Sequence, residues 1–138
     1  MLGGDLVDVM VKGEWFFQRD NGPWVGPLQN AMTADGLAKF AELVGGLSAP
    51  FIAMGDAVGE NYRKIVGAII RDGAVLRLRI SLSLSEGNGN HTYLAVYSNA
   101  TATAESGTKI NELAEVFSKN TNEVLNIECR FTMQQGVA

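Results

Sequence analysis

The chain has 138 residues, of which 46% are hydrophobic and 19% are charged, and its net charge at neutral pH is −4. A chain of this length buries about two thirds of its surface on folding, so one domain over residues 1–138 with its own core is expected. One histidine and one cysteine exclude an intrachain disulfide and a Cys₂His₂ or Cys₄ zinc site within one chain. The few basic residues disfavour nucleic acid as a partner, and no apolar run predicts insertion into a membrane.

The N-terminal part predicts a strand followed by a hairpin or a long loop. Leu6 to Val11 is rich in β-branched and apolar residues, a pattern typical of a strand. Asn21-Gly22-Pro23 is a turn sequence, because glycine tolerates positive φ and proline fixes φ. Trp15 and Trp24 lie on either side of this turn.

Residues 33–45 predict the one helix of the chain. Thr33 suits the N-cap and Gly45-Gly46 suits the end of a helix. The apolar residues fall at i, i+3, i+4 and i+7, which places them on one stripe; they are Leu37, Phe40, Ala41 and Val44.

The middle of the chain predicts strands joined by short turns. Phe51 to Gly55 predicts a short buried strand, residues 56–62 a loop, and Lys64 to Arg71 a strand with Gly67 as a possible bulge. Asp72-Gly73 is a strong hairpin signal. The next segment alternates, with Arg77, Arg79 and three serines expected in water. The residues expected to face inward are Leu76, Leu78, Ile80, Leu82 and Leu84.

The C-terminal part contains two clear strands and one ambiguous segment. Thr92 to Tyr97 predicts a strand after the turn at residues 86–90, and Ser98 to Thr108 predicts a polar, mobile loop. Residues 110–118 fit a helical stripe slightly better than a strand. Leu125 to Met133 alternates as an amphipathic strand. Together these elements predict a mainly β fold: an antiparallel β-sandwich with the helix over 33–45 packed against it.

The residues suggest little catalytic chemistry. His91 follows a turn without a nucleophile or an acid placed around it, so a structural role is favoured over catalysis. No metal-ligand or phosphate-binding spacing occurs, and no catalytic residue, metal or cofactor is predicted. Tyr93 and Tyr97 share one strand face. Either they stand outside the core as interface residues, or both faces of that strand are buried.

The order of motifs resembles a family of small structural proteins from the particles of tailed phages and prophages, of the tail, baseplate or fibre type. The first matching motif is Asn30, Met32, Thr33, Gly36 and Leu37, and the second is Phe51-Ile52-Ala53-Met54-Gly55. Asn88-Gly89 with the strand Thr92 to Tyr97, Lys119, and Leu125 to Thr132 complete the match. The resemblance implies a strand over residues 110–118.

The resemblance implies a non-enzymatic protein of the virion, assembled in the cytoplasm of the host bacterium. The expected partners are further copies of the chain in a symmetric homo-oligomer and other virion proteins. The candidate interface residues are Trp15, Trp24, Tyr93 and Tyr97. Two alternatives remain: a head decoration or head–tail joining protein, and a carbohydrate-binding module at a fibre tip.

Overall fold

Ten β-strands form the regular structure of the computed structural model, which describes residues 9–29, 31–32, 49–72 and 75–135. The strands are β1 Val9–Arg19, β2 Trp24–Gln29, β3 Ala31–Met32, β4 Phe51–Gly55, β5 Glu60–Ile65, β6 Ala68–Asp72, β7 Val75–Leu82, β8 Gly89–Ser98, β9 Thr108–Lys119 and β10 Leu125–Gln135. The helix predicted over residues 33–45 lies outside the described residues.

The strands form two antiparallel sheets of five strands each. Sheet 1 has the order β2-β1-β10-β7-β6, and sheet 2 has the order β3-β9-β8-β4-β5. Both sheets contribute side chains to one apolar cluster. The prediction of a mainly β, sandwich-like fold is therefore confirmed, and so is the hairpin between Trp15 and Trp24, which β1 and β2 form.

Alternating side chains of β7 and β10 supply the sheet 1 side of the core. Leu78 lies opposite Cys129, and Ile80 lies opposite Ile127, with at most 3% of each residue exposed. Because successive side chains of a strand point to opposite faces, the predicted alternation puts one apolar row inside. The buried residues from sheet 2 in the same cluster are Ile52, Met54, Leu94, Val96, Ile110 and Leu113.

The predicted inward row was wrong at its last member. Leu84 is 52% exposed, because β7 ends at Leu82 and the chain then turns, with the N–H of Glu86 donating to the carbonyl of Ser83 at 3.1 Å. Strand alternation no longer applies beyond that point.

The predicted strand over Lys64–Arg71 is in fact two strands in different sheets. β5 ends at Ile65 in sheet 2, and β6 begins at Ala68 in sheet 1. Between them, the N–H of Val66 donates to the carbonyl of Pro50 beside β4, and the N–H of Gly67 donates to the carbonyl of Arg79 in β7, both at 3.0 Å. The chain thus crosses from one sheet to the other at Gly67, where a bulge was expected. β5 also begins within the loop predicted over 56–62.

Residues 110–118 lie in β9, so the prediction of a strand is confirmed. The spacing of Ile110 and Leu113 looked helical because the β8–β9 register shifts there: Val96 pairs with Asn111, whereas Tyr97 pairs with Lys109. Ile110 is the additional residue, and both Ile110 and Asn111 are fully buried. A bulge of this kind changes which residues of a strand face inward.

The difference between Leu78 and Leu84 makes a direct test of the core. Leu78→Ala is expected to lower the free energy of unfolding by about 3 kcal/mol, because it leaves a cavity between the sheets. Leu84→Ala is the matched control, with an expected loss below about 0.5 kcal/mol. Urea unfolding monitored by tryptophan fluorescence measures both values, and equal losses would contradict the assigned faces.

Glu86 ties the connection between β7 and β8 to the edge strand β5. Its carboxylate accepts hydrogen bonds from Lys64 Nζ at 2.7 Å, from the backbone N–H of Ser83 at 2.9 Å and from the hydroxyl of Tyr62 at 3.1 Å. The bond from Lys64, followed by that from Ser83, lowers the pKa of Glu86 from 4.5 to about 2.

This shift predicts a pH-dependent contribution to stability. Because the pKa of Glu86 is lower in the folded chain, the stabilisation is fully present above its unfolded value and is lost as the pH falls from 4.5 to about 2. Glu86→Gln is expected to cost about 1 kcal/mol at neutral pH, since the pair is partly exposed. Thermal unfolding of both proteins across this range should show the difference closing. A difference that stays constant down to the acid limit would contradict the shift.

Candidate functional site

His91 is a buried structural residue in this fold. Only 1% of it is exposed, its Nε2 lies 2.7 Å from the carbonyl oxygen of Gly87, and its Nδ1 lies 3.2 Å from Nδ2 of Asn61. With the proton on Nε2, the ring donates to Gly87 and accepts from Asn61, so both nitrogens are engaged. The ring also packs against Phe117, with centroids 5.1 Å apart. His91 therefore holds the turn before β8 to its neighbours.

Cys129 is equally enclosed. It lies in the core, and burial raises the pKa of its thiol, which keeps it protonated. The described residues contain no group of three or more histidine, cysteine, aspartate or glutamate side chains that could hold a metal ion.

The four candidate interface residues occupy different environments. Trp15 is fully buried in the core and Tyr97 is 5% exposed, whereas Tyr93 is half-buried and Trp24 is 40% exposed. Of the four, Trp24 is therefore the residue most accessible from solvent. For the strand that carries both tyrosines, the structure favours the alternative in which both faces are covered, since Leu94 and Ala95 are each fully buried.

Arg63 forms part of the cover over the outer face of β8. Its guanidinium forms a two-point ion pair with Glu60, with both N–O distances at 2.7 Å and both side chains at most 3% exposed. The guanidinium carbon also lies 4.7 Å from the ring centroid of Tyr97 and 5.6 Å from that of Phe51. A charge in this position needs its full set of partners, because an unpaired buried charge is costly.

The remaining donors of Arg63 anchor the loop between β8 and β9. Its Nη1 donates to the carbonyls of Thr101 and Ser106, at 3.0 and 3.1 Å. Glu105, in the same loop, donates its backbone N–H to the carboxylate of Glu60 at 3.1 Å. The loop that the sequence predicts to be mobile is therefore tied at several points to a buried ion pair.

An apolar cleft opens at one side of the sandwich, between β2 of sheet 1 and β9 of sheet 2. Its volume is about 550 Å³. The apolar residues in its lining are Phe17, Pro23, Val25, Leu28, Val116 and Phe117. Val25 is 61% exposed and Val116 is 78% exposed. Covering exposed apolar side chains with another surface is favourable, because it removes apolar area from water.

Two edges that have no partner strand among the described residues border this cleft. β2 is the outermost strand of sheet 1. In the part of the chain that the structure describes, β9 pairs with β3 only at Asn111 and Glu112. Residues 113–119 of β9 therefore have no partner strand there on their outer side, although the carbonyl of Ser118 accepts a hydrogen bond from Arg19 Nη2 at 3.1 Å. Unpaired backbone N–H and C=O groups of an edge strand are a template for pairing with another chain.

A cluster of three arginines around one carboxylate lies on the outer face of sheet 1. Glu128 is 1% exposed and accepts hydrogen bonds from Arg77, Arg79 and Arg130. Burial alone would raise the pKa of Glu128, but the bonds from Arg130, Arg79 and Arg77 outweigh burial and lower it. Glu128 thus stays ionised at the centre of the cluster.

The sequence predicted the exposure of these arginines but not their convergence. Arg77 and Arg79 alternate on a face expected to be wet, and Glu128 and Arg130 share the polar face of another strand. Only the β7–β10 register, which pairs Arg79 with Glu128 and Arg77 with Arg130, brings them together.

Comparison of the chain with models of protein families, with curated proteins and with solved structures found no match. The resemblance to phage particle proteins is therefore a hypothesis based on the motifs. Within the described residues, no helix is long and apolar enough to cross a membrane.

The role of Arg63 can be tested against an exposed arginine. Arg63→Met is expected to lower the free energy of unfolding by about 3 kcal/mol, because it leaves the buried charge of Glu60 without a partner. The control Arg19→Met removes an arginine whose side chain is 48% exposed and which pairs with Glu123 at 2.8 Å; its expected loss is at most about 1 kcal/mol.

A double variant separates the charge effect from lost packing. Adding Glu60→Gln to Arg63→Met should recover part of the lost stability, because the unpaired buried charge is removed. Chemical denaturation measures all variants, and a double variant less stable than Arg63→Met would contradict the explanation.

Proposed function

We propose that the protein is a non-enzymatic structural component of a tailed-phage particle, of the tail, baseplate or fibre type. It assembles by symmetric self-association and by contact with other particle proteins. The observation that carries the proposal is the apolar cleft between β2 and β9, bordered by two strand edges that have no partner strand among the described residues. The motifs that resemble phage particle proteins support the placement in a virion.

The free edge of β9 suits contact with a second copy. A two-fold axis beside this edge would set the β9 strands of two copies antiparallel, so that the same surface serves both subunits. Val116 lies at the middle of residues 113–119 and is 78% exposed. In a contact centred there, the two Val116 side chains meet across the axis. Backbone pairing then adds to the burial of apolar side chains.

Substitution of Val116 tests self-association. Val116→Lys places two like charges opposite each other and is expected to convert an oligomer into a monomer, because like charges directly opposite in a strand pair are unfavourable. Val58→Lys is the matched control, since Val58 is 98% exposed in the turn between β4 and β5. Size-exclusion chromatography with light scattering gives the mass of each variant.

A charge-swap experiment makes the same test specific to this edge. Mixing Val116→Lys with Val116→Glu should restore association through opposite charges, although each variant alone is monomeric. A wild-type chain that stays monomeric at every soluble concentration, or a Val58→Lys variant that dissociates equally, would overturn the proposed contact.

Placement in the particle needs a separate measurement. Mass spectrometry of purified phage particles should detect the chain, and immunogold labelling should place it on the tail, the baseplate or the fibres. Labelling of the head would favour the decoration or joining alternative. Absence from the particles would overturn the virion role.

A further inference from the structure

A groove of about 380 Å³ crosses the outer face of sheet 1 next to the arginine cluster. Trp24 of β2 lies in one wall, and Gly67 and Ala68, where the chain changes sheets, lie in another. The remaining lining includes the polar side chains of Gln18, Ser81, Asn126 and Arg79. One flat aromatic ring, two amides, a hydroxyl and a guanidinium thus line one concave surface.

The charge beside this groove is not balanced. Three guanidiniums surround the carboxylate of Glu128, so these four side chains together carry two more positive charges than negative ones (three minus one). The carboxylate of Glu14, which lies opposite Arg130 in β1, is paired with Lys12 Nζ at 3.6 Å instead. This positive cluster sits on a chain whose net charge is −4. An anion is the natural counterpart.

The arginine donors are both positioned and available. Arg79 and Arg130 each use Nε to bind Glu128, and their Nη1 and Nη2 groups donate no hydrogen bond to the described residues. Their side chains are 38% and 36% exposed. Phe16 supports Arg130 from beneath, with 4.2 Å between the ring centroid and the guanidinium carbon. Donors fixed in advance lose less freedom when a ligand binds.

The polar groups of the groove are also held in place. Asn126 Nδ2 donates to Gln18 Oε1 at 2.9 Å, and Gln18 Nε2 donates to the carbonyl of Gly22 at 2.9 Å. These two hydrogen bonds leave Oδ1 of Asn126 free to accept another. Neither it nor the hydroxyl of Ser81 has a hydrogen-bond partner among the described residues. Trp24 is 40% exposed, with the guanidinium carbon of Arg79 at 5.5 Å from its ring centroid.

We propose that this groove binds an acidic saccharide, with a sugar ring against Trp24 and a carboxylate or sulfate on Arg79. The ring of Trp24 offers an apolar surface to the C–H groups of a sugar, while Asn126 and Ser81 offer partners for its hydroxyls. A guanidinium binds a planar carboxylate with two parallel hydrogen bonds. Nucleic acid fits less well, since three clustered arginines do not form a track along successive phosphates. No residue of β9 lines this groove, so a chain that cannot assemble keeps every group of the site.

Calorimetric titration tests the proposal with defined probes. These are tetragalacturonate, sialyllactose and a heparin tetrasaccharide, with the methyl ester of tetragalacturonate as the uncharged match. At least one acidic sugar should bind, and its affinity should fall as salt is raised. The heparin arm separates sulfate from carboxylate as the preferred anion. Hexaglutamate and inorganic phosphate report binding of any anion without a sugar.

Variants assign the binding to the groove. Trp24→Ala and Arg79→Gln should each weaken binding of the acidic sugar by about tenfold or more. Arg19→Gln, which changes an arginine of the cleft and not of the groove, should leave binding unchanged. Ser81→Asp keeps every arginine and adds a negative charge to the groove. Ser81→Asp should weaken binding of the acid more than binding of the ester. This variant leaves all partners of Glu128 in place, whereas Arg79→Gln removes one of them.

Three results would overturn the proposal. They are no binding of any acidic sugar, equal binding of hexaglutamate or phosphate, and equal losses in Arg19→Gln and Trp24→Ala. Repeating the titration on Val116→Lys keeps this site apart from self-association, because an assembly-deficient chain should still bind.

Discussion

Side chains from both sheets meet in one apolar layer, and this layer decides which residues of each strand can face outward. Leu78 and Ile127 enter it from sheet 1, and Leu94 enters it from sheet 2. Because a strand alternates its side chains, each inward residue places its neighbours on the other face. The arginine cluster around Glu128 and the ion pair of Arg63 are consequences of this alternation. Each lies on the outer face of one sheet, directly behind the core.

The buried carboxylates on the two outer faces differ in how their charge is balanced. On sheet 2, Glu60 and Arg63 balance each other, and the remaining donors of Arg63 are taken up by the chain's own loop. On sheet 1, Glu128 faces three arginines, and no loop among the described residues covers them. The first arrangement completes the fold, since all its groups have partners. The second leaves charge and hydrogen-bond donors directed toward solvent, which is why we place ligand recognition there.

The sequence predicts the strands with regular alternation well, because the period of two directly reports one buried face. β7 and β10 are the clearest cases. Prediction from sequence fails where the chain passes from one sheet to the other while its residue pattern stays typical of a single strand. This happens at Gly67, where the two short apolar segments on either side lie in different sheets. The spacing of Ile110 and Leu113 looked helical because a bulge interrupts β9. The candidate sites were hidden for another reason: Arg79 and Glu128 are 49 residues apart, and only strand register makes them neighbours.

β2 contributes to both surfaces, since Trp24 faces the groove and the adjacent Val25 faces the cleft. Among the described strands, only β1 pairs with β2. A partner seated in the cleft would restrict the position of β2 and so reduce the freedom that Trp24 loses when a sugar binds. Thermodynamic linkage makes such an effect reciprocal: whatever assembly adds to sugar affinity, the sugar adds to assembly. The two proposals together therefore predict that a ligand in the groove and assembly at the cleft are coupled through one short edge strand.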